Sequence, residues 1–219
     1  MKIMVFLFLF FSILLNLSNA ESLEFKNLDD GVYVHFGKQE DSNKNNLGDI
    51  SNLGFIVGSK SIAVIDSGAS VKIASEMFKK IKKTSDLPIS HIIITHSHPD
   101  HFLGTEALMA ENPIVIGHEK LNRSMTNNFE FYKNLQFSLT DDKSLKSTKL
   151  ILAEKLIKID TIHTIDLRDR KLSIKAWSSG HTDNDLSIYD EKRNILVREY
   201  FCRSHAIIMA SVNVGKKSS

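Results

Sequence analysis

The sequence predicts a mixed α/β domain, and two patterns carry this prediction. Residues 61–68 and 87–95 have the apolar character of strands, and the amphipathic segment 70–85 between them is typical of a helix. This order predicts a parallel pair of strands joined by a helical crossover, with a ligand site at the carboxyl ends of the strands. From residue 149 onward, short segments of period-two hydrophobicity predict an antiparallel meander, so α/β and α+β features are combined.

The remaining elements follow from the same kinds of pattern. Apolar runs at 31–37 and 53–59 predict strands, and the polar segment 38–52, rich in Asn and Asp, predicts a long surface loop between them. Further along we expect a helical segment, a short buried strand and a stretch of mostly helix and loop, at 102–111, 113–118 and 119–147.

The N-terminal segment predicts export. Residues 1–20 hold one lysine, an apolar run through Leu15 and a small-residue site ending at Ala20, which is the layout of a secretory signal peptide. The alternative, an uncleaved N-terminal anchor, fits less well because the apolar run is short for a membrane span. We therefore expect cleavage after Ala20, no stable membrane span in the mature chain, and a location in the periplasm or outside the cell.

Composition narrows the classes of function. Removal of residues 1–20 from the 219 leaves 199 residues and takes away Lys2, so 27 basic side chains face 26 acidic ones. Such a balance lacks the concentrated basic face that nucleic-acid binding requires. The one cysteine, Cys202, has no partner for a disulfide within the chain. We expect one domain over residues 21–199.

Three histidines and an aspartate are concentrated in "THSHPDH", residues 95–101, directly after the apolar run 91–94. In an extended loop His96 and His98 point the same way, so both imidazoles can reach one ion, and Asp100 and His101 can turn toward a second. Zinc suits imidazole and carboxylate ligands. The lack of a thiolate cluster argues against a structural zinc finger, and a site with open positions leaves room for water.

The stretch "HSHPDH" resembles the HxHxDH signature of the metallo-β-lactamase fold hydrolases. Two other stretches agree: "AVIDSG" (63–68) resembles the strand whose aspartate braces the site, and "SSGHTDNDL" (178–186) resembles the Gly-His-Thr segment that carries the third histidine. Over about residues 24–197 the chain is similar in particular to the exported branch called quinoprotein relay system zinc metallohydrolases.

This resemblance implies a four-layer αββα sandwich and a zinc-dependent hydrolase with one or two ions. His96, His98 and His181 would hold the first zinc, and Asp100 and His101 part of the second. A metal-bound hydroxide would attack an ester, lactone, thioester or amide-type bond, with Asp100 orienting it as the catalytic residue. The resemblance also implies a small-molecule substrate selected by loops, here expected at 38–52 and 119–147, and a link to periplasmic quinoprotein oxidation.

Supporting residues are implied around these ligands. Asp66 would accept a hydrogen bond that orients a ligand. Asp183 and Asp185 either support a ligand in the same way or are simply solvated, and the sequence leaves both readings open. His35, His118 and His163 have no role in the motif.

The resemblance fails near the end of the chain. Tyr200 stands where the family has an aspartate that bridges two metals, and Cys202 and His205 are poorly placed substitutes. We interpret residues 200–219 as an aberrant tail, produced by a shift of reading frame, in which the last strand and helix are incomplete. The alternative function is therefore a truncated, mononuclear or inactive zinc-binding remnant.

Overall fold

A computed structural model describes residues 23–199 and 207–211, which form two sheets. The first sheet has seven strands in sequential order: β1 (Lys26–Asp29), β2 (Val32–His35), β3 (Leu53–Val57), β4 (Ile62–Ile65), β5 (Ile89–Ile93), β6 (Ile114–His118) and β7 (Lys155–Ile157). The second has the order β12-β11-β10-β9-β8: β8 (Ile162–Asp166), β9 (Lys171–Ala176), β10 (Leu186–Asp190), β11 (Ile195–Glu199) and β12 (Ile207–Ser211). The helices are α1 (Val71–Thr84), α2 (Pro99–Phe102) and α3 (Leu121–Thr140), with 3-10 helices at Thr105–Glu111 and Lys143–Ser147.

Several predictions concern residues outside this description. They are the signal peptide over residues 1–20 with its cleavage site, and the tail residues Tyr200, Cys202 and His205. Residues 207–211, which belong to the predicted tail, form β12, and this strand pairs antiparallel with β11. In the described part of the chain, no helix has the length and apolar character needed to cross a membrane.

The crossover unit β4-α1-β5 forms as predicted, and its strands are parallel. The side chain of Ser70 accepts a hydrogen bond from the backbone N–H of Ile73, which begins α1, and Lys82 and Lys83 lie in the last turn, where the helix dipole favours positive charge. The apolar face of α1 packs on the sheet through Ile73, Ala74, Met77 and Ile81. The carboxyl ends of β4 and β5 therefore lie side by side, directly before the predicted ligand residues.

The prediction of an antiparallel meander from residue 149 is wrong for its first segment. β7 joins the first sheet and runs parallel to β6. The physical reason is the intervening helix α3, because a strand that returns after a helical crossover lies parallel to its predecessor. The meander proper begins at β8, and a parallel bridge between Ile159 and Ala176 connects the segment after β7 to the second sheet.

The helix expected over 102–111 divides into two pieces. α2 ends at Phe102 and a 3-10 helix begins at Thr105, with Gly104 between them. A Cβ atom on Gly104 would lie 2.3 Å from the carbonyl oxygen of Ser67, so this turn lies directly against the segment that follows β4. Close packing of these two segments holds the histidine motif against the end of β4.

Two apolar cores define the layers. Between the sheets lie the inward side chains of both, namely Val32, Ile56, Ala63, Ile65, Ile93 and Ile116 from the first and Leu172, Ile174, Ile188 and Val197 from the second. The other face of the first sheet is covered by α1 and α3 around Phe55, Ile92 and Met77. The predicted mixed α/β sandwich is confirmed, and the described residues supply its α, β and β layers.

Candidate metal centre

Three histidine rings converge at one end of the sandwich. His96 and His98 follow β5, and His181 lies in the turn between β9 and β10. Nε2 of His96 lies 3.0 Å from Nδ1 of His98, and Nε2 of His181 lies 2.9 Å from the same atom. One nitrogen from each ring lies within 4.8 Å of the others. His96 is buried, His98 half-buried and His181 exposed, so the cluster opens to solvent on the His181 side.

This geometry fits a metal ion. Nitrogen ligands at 2.0–2.1 Å from a tetrahedral ion lie roughly 3.3 Å from one another, close to the two shorter separations in the cluster. Three imidazoles suit Zn, Cu, Fe or Ni, whereas Mg and Ca prefer oxygen ligands. Within residues 23–199 and 207–211, these three histidines form the one group of at least three potential ligands.

A hydrogen-bond chain sets the tautomer of His96. The backbone N–H and the hydroxyl of Thr95 both donate to Asp66, each at 2.7 Å. Since the one hydroxyl proton goes to Asp66, the Thr95 oxygen accepts from Nδ1–H of His96, 3.1 Å away. This leaves a lone pair on Nε2 of His96, the atom that faces the other rings. Thr95 was not identified from the sequence, although it directly precedes the motif.

Asp66 also reaches His101 directly. Its Oδ2 lies 2.8 Å from Nδ1 of His101, and both side chains are fully buried. Asp66 has φ of 58°, a left-handed conformation that Asp tolerates better than most residues, at the turn that follows β4. Asp66 thus contacts both Thr95 and His101 of the motif, and its predicted role in orienting metal ligands stays a prediction.

Asp100 and His101 lie together beside the three rings. Oδ2 of Asp100 is 3.4 Å from Nε2 of His101, and both side chains are buried. Burial lowers the pKa of His101, but the charges of Asp100 and Asp66 outweigh it and raise this pKa well above its usual value. The pair therefore favours positive charge. A cation between Nε2 and Oδ2 would satisfy the same preference.

Asp183 pairs with Arg123 of α3 and with its neighbour Asn184. Its Oδ2 accepts from Nη2 of Arg123 at 2.5 Å and its Oδ1 accepts from Asn184 at 2.9 Å. The hydrogen bond from Asn184 is the largest cause of a lowered Asp183 pKa, and Arg123 adds to it. The structure places Asp183 in an ion pair with Arg123 of α3, and a role in supporting a metal ligand stays a prediction.

Asp185 braces the turn that carries His181. It accepts from the backbone N–H of Thr182 at 3.1 Å and 3.0 Å and from the Thr182 hydroxyl at 2.5 Å. Gly180 packs closely on this carboxylate, because a Cβ atom there would lie 2.2 Å from Oδ2. Asp185 therefore fixes the turn that carries His181, and a role for either aspartate in supporting a metal ligand stays a prediction.

Two contacts that the sequence did not indicate join the motif to neighbouring segments. The buried amide of Asn184 donates to Oγ of Ser97 at 3.1 Å, which connects the His181 turn to the residue between His96 and His98. Oγ of Ser51 donates to the backbone oxygen of Asp100 at 2.6 Å, so the loop 38–52 is attached to the other end of the motif. Ordinary Ser and Asn residues carry no sequence signal for such roles.

His118 and His35 have structural partners. Nδ1 of His118 accepts from the backbone N–H of Lys120 and Nε2 donates to the carbonyl of Trp177, each at 3.0 Å. Burial lowers the pKa of His118. His35 contacts Asp49 at 2.6 Å and the carbonyl of Glu24 at 2.9 Å. Both histidines connect chain segments.

Comparison with known proteins identifies the family of this chain. The family model of the metallo-β-lactamase superfamily matches residues 47–198. A linear primary-alkylsulfatase from Pseudomonas sp. (strain ATCC 19151) is 33% identical over 60 residues, which are 27% of this chain and 11% of that enzyme. The chain therefore spans about a tenth of the length of this curated relative.

Solved structures show the same fold. A metallo-β-lactamase from Hirschia baltica has a TM-score of 0.58 at 20% identity, with 80% of this chain and 70% of that one covered. The metallo-β-lactamase FIM-1 from Pseudomonas aeruginosa in the mono-zinc form has a TM-score of 0.57 at 21% identity, with 80% and 67% covered. With its family match, its sandwich of two sheets and its convergent histidines, this chain belongs to the metallo-β-lactamase superfamily.

Proposed function

We propose that this protein is an exported zinc-dependent hydrolase that cleaves an ester, lactone, thioester or amide-type bond. The observation that carries the proposal is the convergence of His96, His98 and His181 within 4.8 Å, next to the buried pair Asp100 and His101. Hydrolysis is the chemistry named for the relatives, an alkylsulfatase and several β-lactamases. Export rests on the signal-peptide pattern of residues 1–20.

Each residue of the site has a distinct part in this reaction. A bound zinc ion would supply a Lewis acid that polarises the scissile bond and makes water acidic, with a pKa near 7. His96, His98 and His181 would hold it through Nε2, Nδ1 and Nε2, the atoms that face one another. Asp100 presents a buried carboxylate beside them and would accept the proton of the attacking water.

A mononuclear centre is the second candidate, and one observation favours it. Within the described residues a second group of three or more ligands is absent, and Asp100 with His101 offers only two side chains for another ion. Such a protein would bind one zinc at the three histidines and would hydrolyse slowly or not at all. A role beside periplasmic quinoprotein oxidation is a further proposal, which rests on the family resemblance.

Metal content measured together with hydrolysis tests both candidates. The purified protein is analysed by plasma mass spectrometry and assayed with chromogenic esters, thioesters and lactams. Bound zinc together with turnover, both lost in His96→Ala, supports the hydrolase. His163→Ala on β8 is the matched control and should keep both the zinc and the turnover. One zinc without turnover supports the mononuclear remnant. No zinc bound by the wild-type protein contradicts both.

A further inference from the structure

The three histidines of the metal centre come from two different sheets. His96 and His98 follow β5 of the first sheet, whereas His181 lies in the turn between β9 and β10 of the second. Ligand distances in a well-formed metal site vary by only about 0.2 Å. The contacts that join the two sheets beside this turn therefore control whether the three rings can share one ion.

The turn that carries His181 is closed at its base. The backbone N–H of Trp177 donates to the carbonyl of Asp185 at 3.0 Å, and the N–H of Thr182 donates to the carboxylate of the same aspartate. The segment 177–185 is therefore held together by its own hydrogen bonds. A contact that fixes either end of this segment to the first sheet also fixes the position of His181.

Two contacts attach the β10 side of the turn to the first sheet. The backbone N–H of Leu186 donates to the carbonyl of Thr95 at 2.8 Å, directly before His96. The amide of Asn184 donates to Oγ of Ser97 at 3.1 Å. Both contacts hold the end of the turn that enters β10, and the opposite end, at Trp177, needs a contact of its own.

His118 supplies the contact on the β9 side. It is the last residue of β6 and is fully buried, and it follows Ile116, whose side chain lies between the sheets, by two positions. Side chains two apart in a strand point to the same face, so His118 is directed toward the second sheet. Its Nε2 donates to the carbonyl of Trp177 at 3.0 Å.

The second ring nitrogen of His118 fixes the tautomer. Nδ1 lies 3.0 Å from the backbone nitrogen of Lys120, the residue at which α3 begins, and an N–H can donate only to an unprotonated nitrogen. Burial is the largest cause of a lowered pKa of His118, which keeps the ring neutral at neutral pH. The single N–H therefore lies on Nε2 and points at Trp177.

We propose that His118 is a positioning residue of the metal centre, which holds the turn of His181 against His96 and His98 through its hydrogen bond to the carbonyl of Trp177. This inference rests on the proposed function, in which the turn presents His181 to an ion. His118 is not itself a ligand, because both of its ring nitrogens are occupied by backbone groups.

Asparagine and glutamine separate the two hydrogen bonds of His118. The amide oxygen of Asn occupies the position of Nδ1 and can accept from Lys120, but its side chain is too short to reach the carbonyl of Trp177. The amide nitrogen of Gln extends as far as Nε2 and can donate to that carbonyl. The proposal therefore predicts that His118→Gln behaves as the wild type and that His118→Asn does not, although both variants replace a buried ring by an amide.

Binding of Co²⁺ to the metal-free protein is the first measurement, because the intensity of its visible absorption distinguishes tetrahedral from higher coordination. We expect the wild type and His118→Gln to share one spectrum and one affinity. His118→Asn should bind at least about tenfold more weakly, with a changed spectrum. Wild-type binding in His118→Asn would overturn the proposal. An equal loss in His118→Gln would do the same, since the bond to Trp177 would then be irrelevant.

His91→Asn is the matched control. His91 lies at the other end of the same pair of strands, because its partner is Ile114, the first residue of β6, whereas His118 is the last. Its pKa is also lowered, mainly by burial. Co²⁺ binding should be unchanged in His91→Asn. A loss as large as that in His118→Asn would show a general effect of lost stability and would overturn the proposal.

Hydrogen exchange of the metal-free protein separates this inference from the proposed function. The amides of Trp177 and Thr182 should exchange about fivefold faster in His118→Asn than in the wild type and His118→Gln, which is the effect of one lost hydrogen bond. Equal exchange in all three proteins overturns the positioning role even if Co²⁺ binds. Faster exchange in His118→Asn, together with a wild type that binds no Co²⁺, contradicts the proposed function and supports the hold of His118 on the turn.

Discussion

Oδ2 of Asp66 accepts a hydrogen bond from Nδ1 of His101 at 2.8 Å, although 35 residues separate the two in the chain. The same carboxylate accepts two hydrogen bonds from Thr95, which in turn sets the tautomer of His96. One buried anion thus directs the ring nitrogens of two potential ligands toward the same space. Residues that support metal ligands in this way fix the orientation of the ligands and raise the affinity for the metal.

Replacement of this anion should weaken metal binding. In Asp66→Asn one carboxylate oxygen becomes an amide donor, so it can no longer accept from both Thr95 and His101, and zinc affinity is expected to fall 10- to 100-fold. Asn also tolerates the left-handed backbone of this position. Competition with a chromogenic chelator measures the change. Asp183→Asn is the control and should alter affinity less than threefold, since Asp183 pairs with Arg123.

Asp185→Ala should loosen the turn that holds His181. The variant loses the acceptor of the Thr182 N–H and hydroxyl, and the free energy of unfolding should fall by about 1–3 kcal/mol. Urea unfolding of the metal-free protein measures this. Zinc affinity should fall as well, because the position of His181 depends on the turn. Stability and affinity equal to those of the wild type would show that the turn holds without this carboxylate.

Removal of metal should lower thermal stability. Zinc at about 1,000 times its dissociation constant stabilises the native state by about 4 kcal/mol, which corresponds to roughly 8–16 °C in Tm for a domain of this size. A thermal scan with and without EDTA measures the difference. His98→Ala removes the nitrogen that lies near both other rings, so EDTA should hardly change its Tm. A full EDTA effect in that variant would place the stabilising ion elsewhere.

His35 should make stability depend on pH. Burial lowers its pKa, but the hydrogen bond and charge of Asp49 and the carbonyl of Glu24 raise it, and the net shift is upward. Since the folded pKa exceeds the unfolded value near 6.5, the stabilisation is fully present below pH 6.5 and is lost as the pH rises through the folded pKa.

The difference in unfolding free energy between the wild type and His35→Gln should therefore be larger at pH 5.5 than at pH 8.5. Urea unfolding at the two values measures it. His91 and His118 have pKa values lowered by burial, so they act in the opposite direction, but they are common to both proteins and cancel in the comparison. A difference that grows with pH would contradict the assignment.

Local patterns predicted the parts of the site that local geometry controls. His96 and His98 are two residues apart in an extended segment, so their convergence follows from strand geometry alone. The amphipathic α1 was likewise predicted, because helix periodicity depends on neighbours in sequence. His181 was identified only through the resemblance of "SSGHTDNDL", because a separation of 85 residues from His96 does not by itself predict that the two side chains lie close together.

Long-range packing decided the rest. Asp183 and Asp185 are two positions apart and chemically identical, yet one pairs with Arg123 while the other braces Thr182. The difference comes from α3 and from the turn at Gly180, which meet only in the folded chain. β7 was assigned to the wrong sheet for a similar reason, because a three-residue strand has too little pattern to specify its partner.

The sequence by itself determined the fold class and the potential ligands of this protein: it predicted a mixed α/β chain with a histidine motif at the end of a buried strand. Only the tertiary structure decided how the histidine side chains are oriented and which segments of the chain surround them. Asp66 reaches His101 because β4 and β5 are parallel neighbours, and the N-terminal part of α3 reaches the turn of His181 through the hydrogen bond between Ser124 and Asn184. Ligand identity is a property of residue types, whereas orientation and access depend on contacts between residues far apart in the chain.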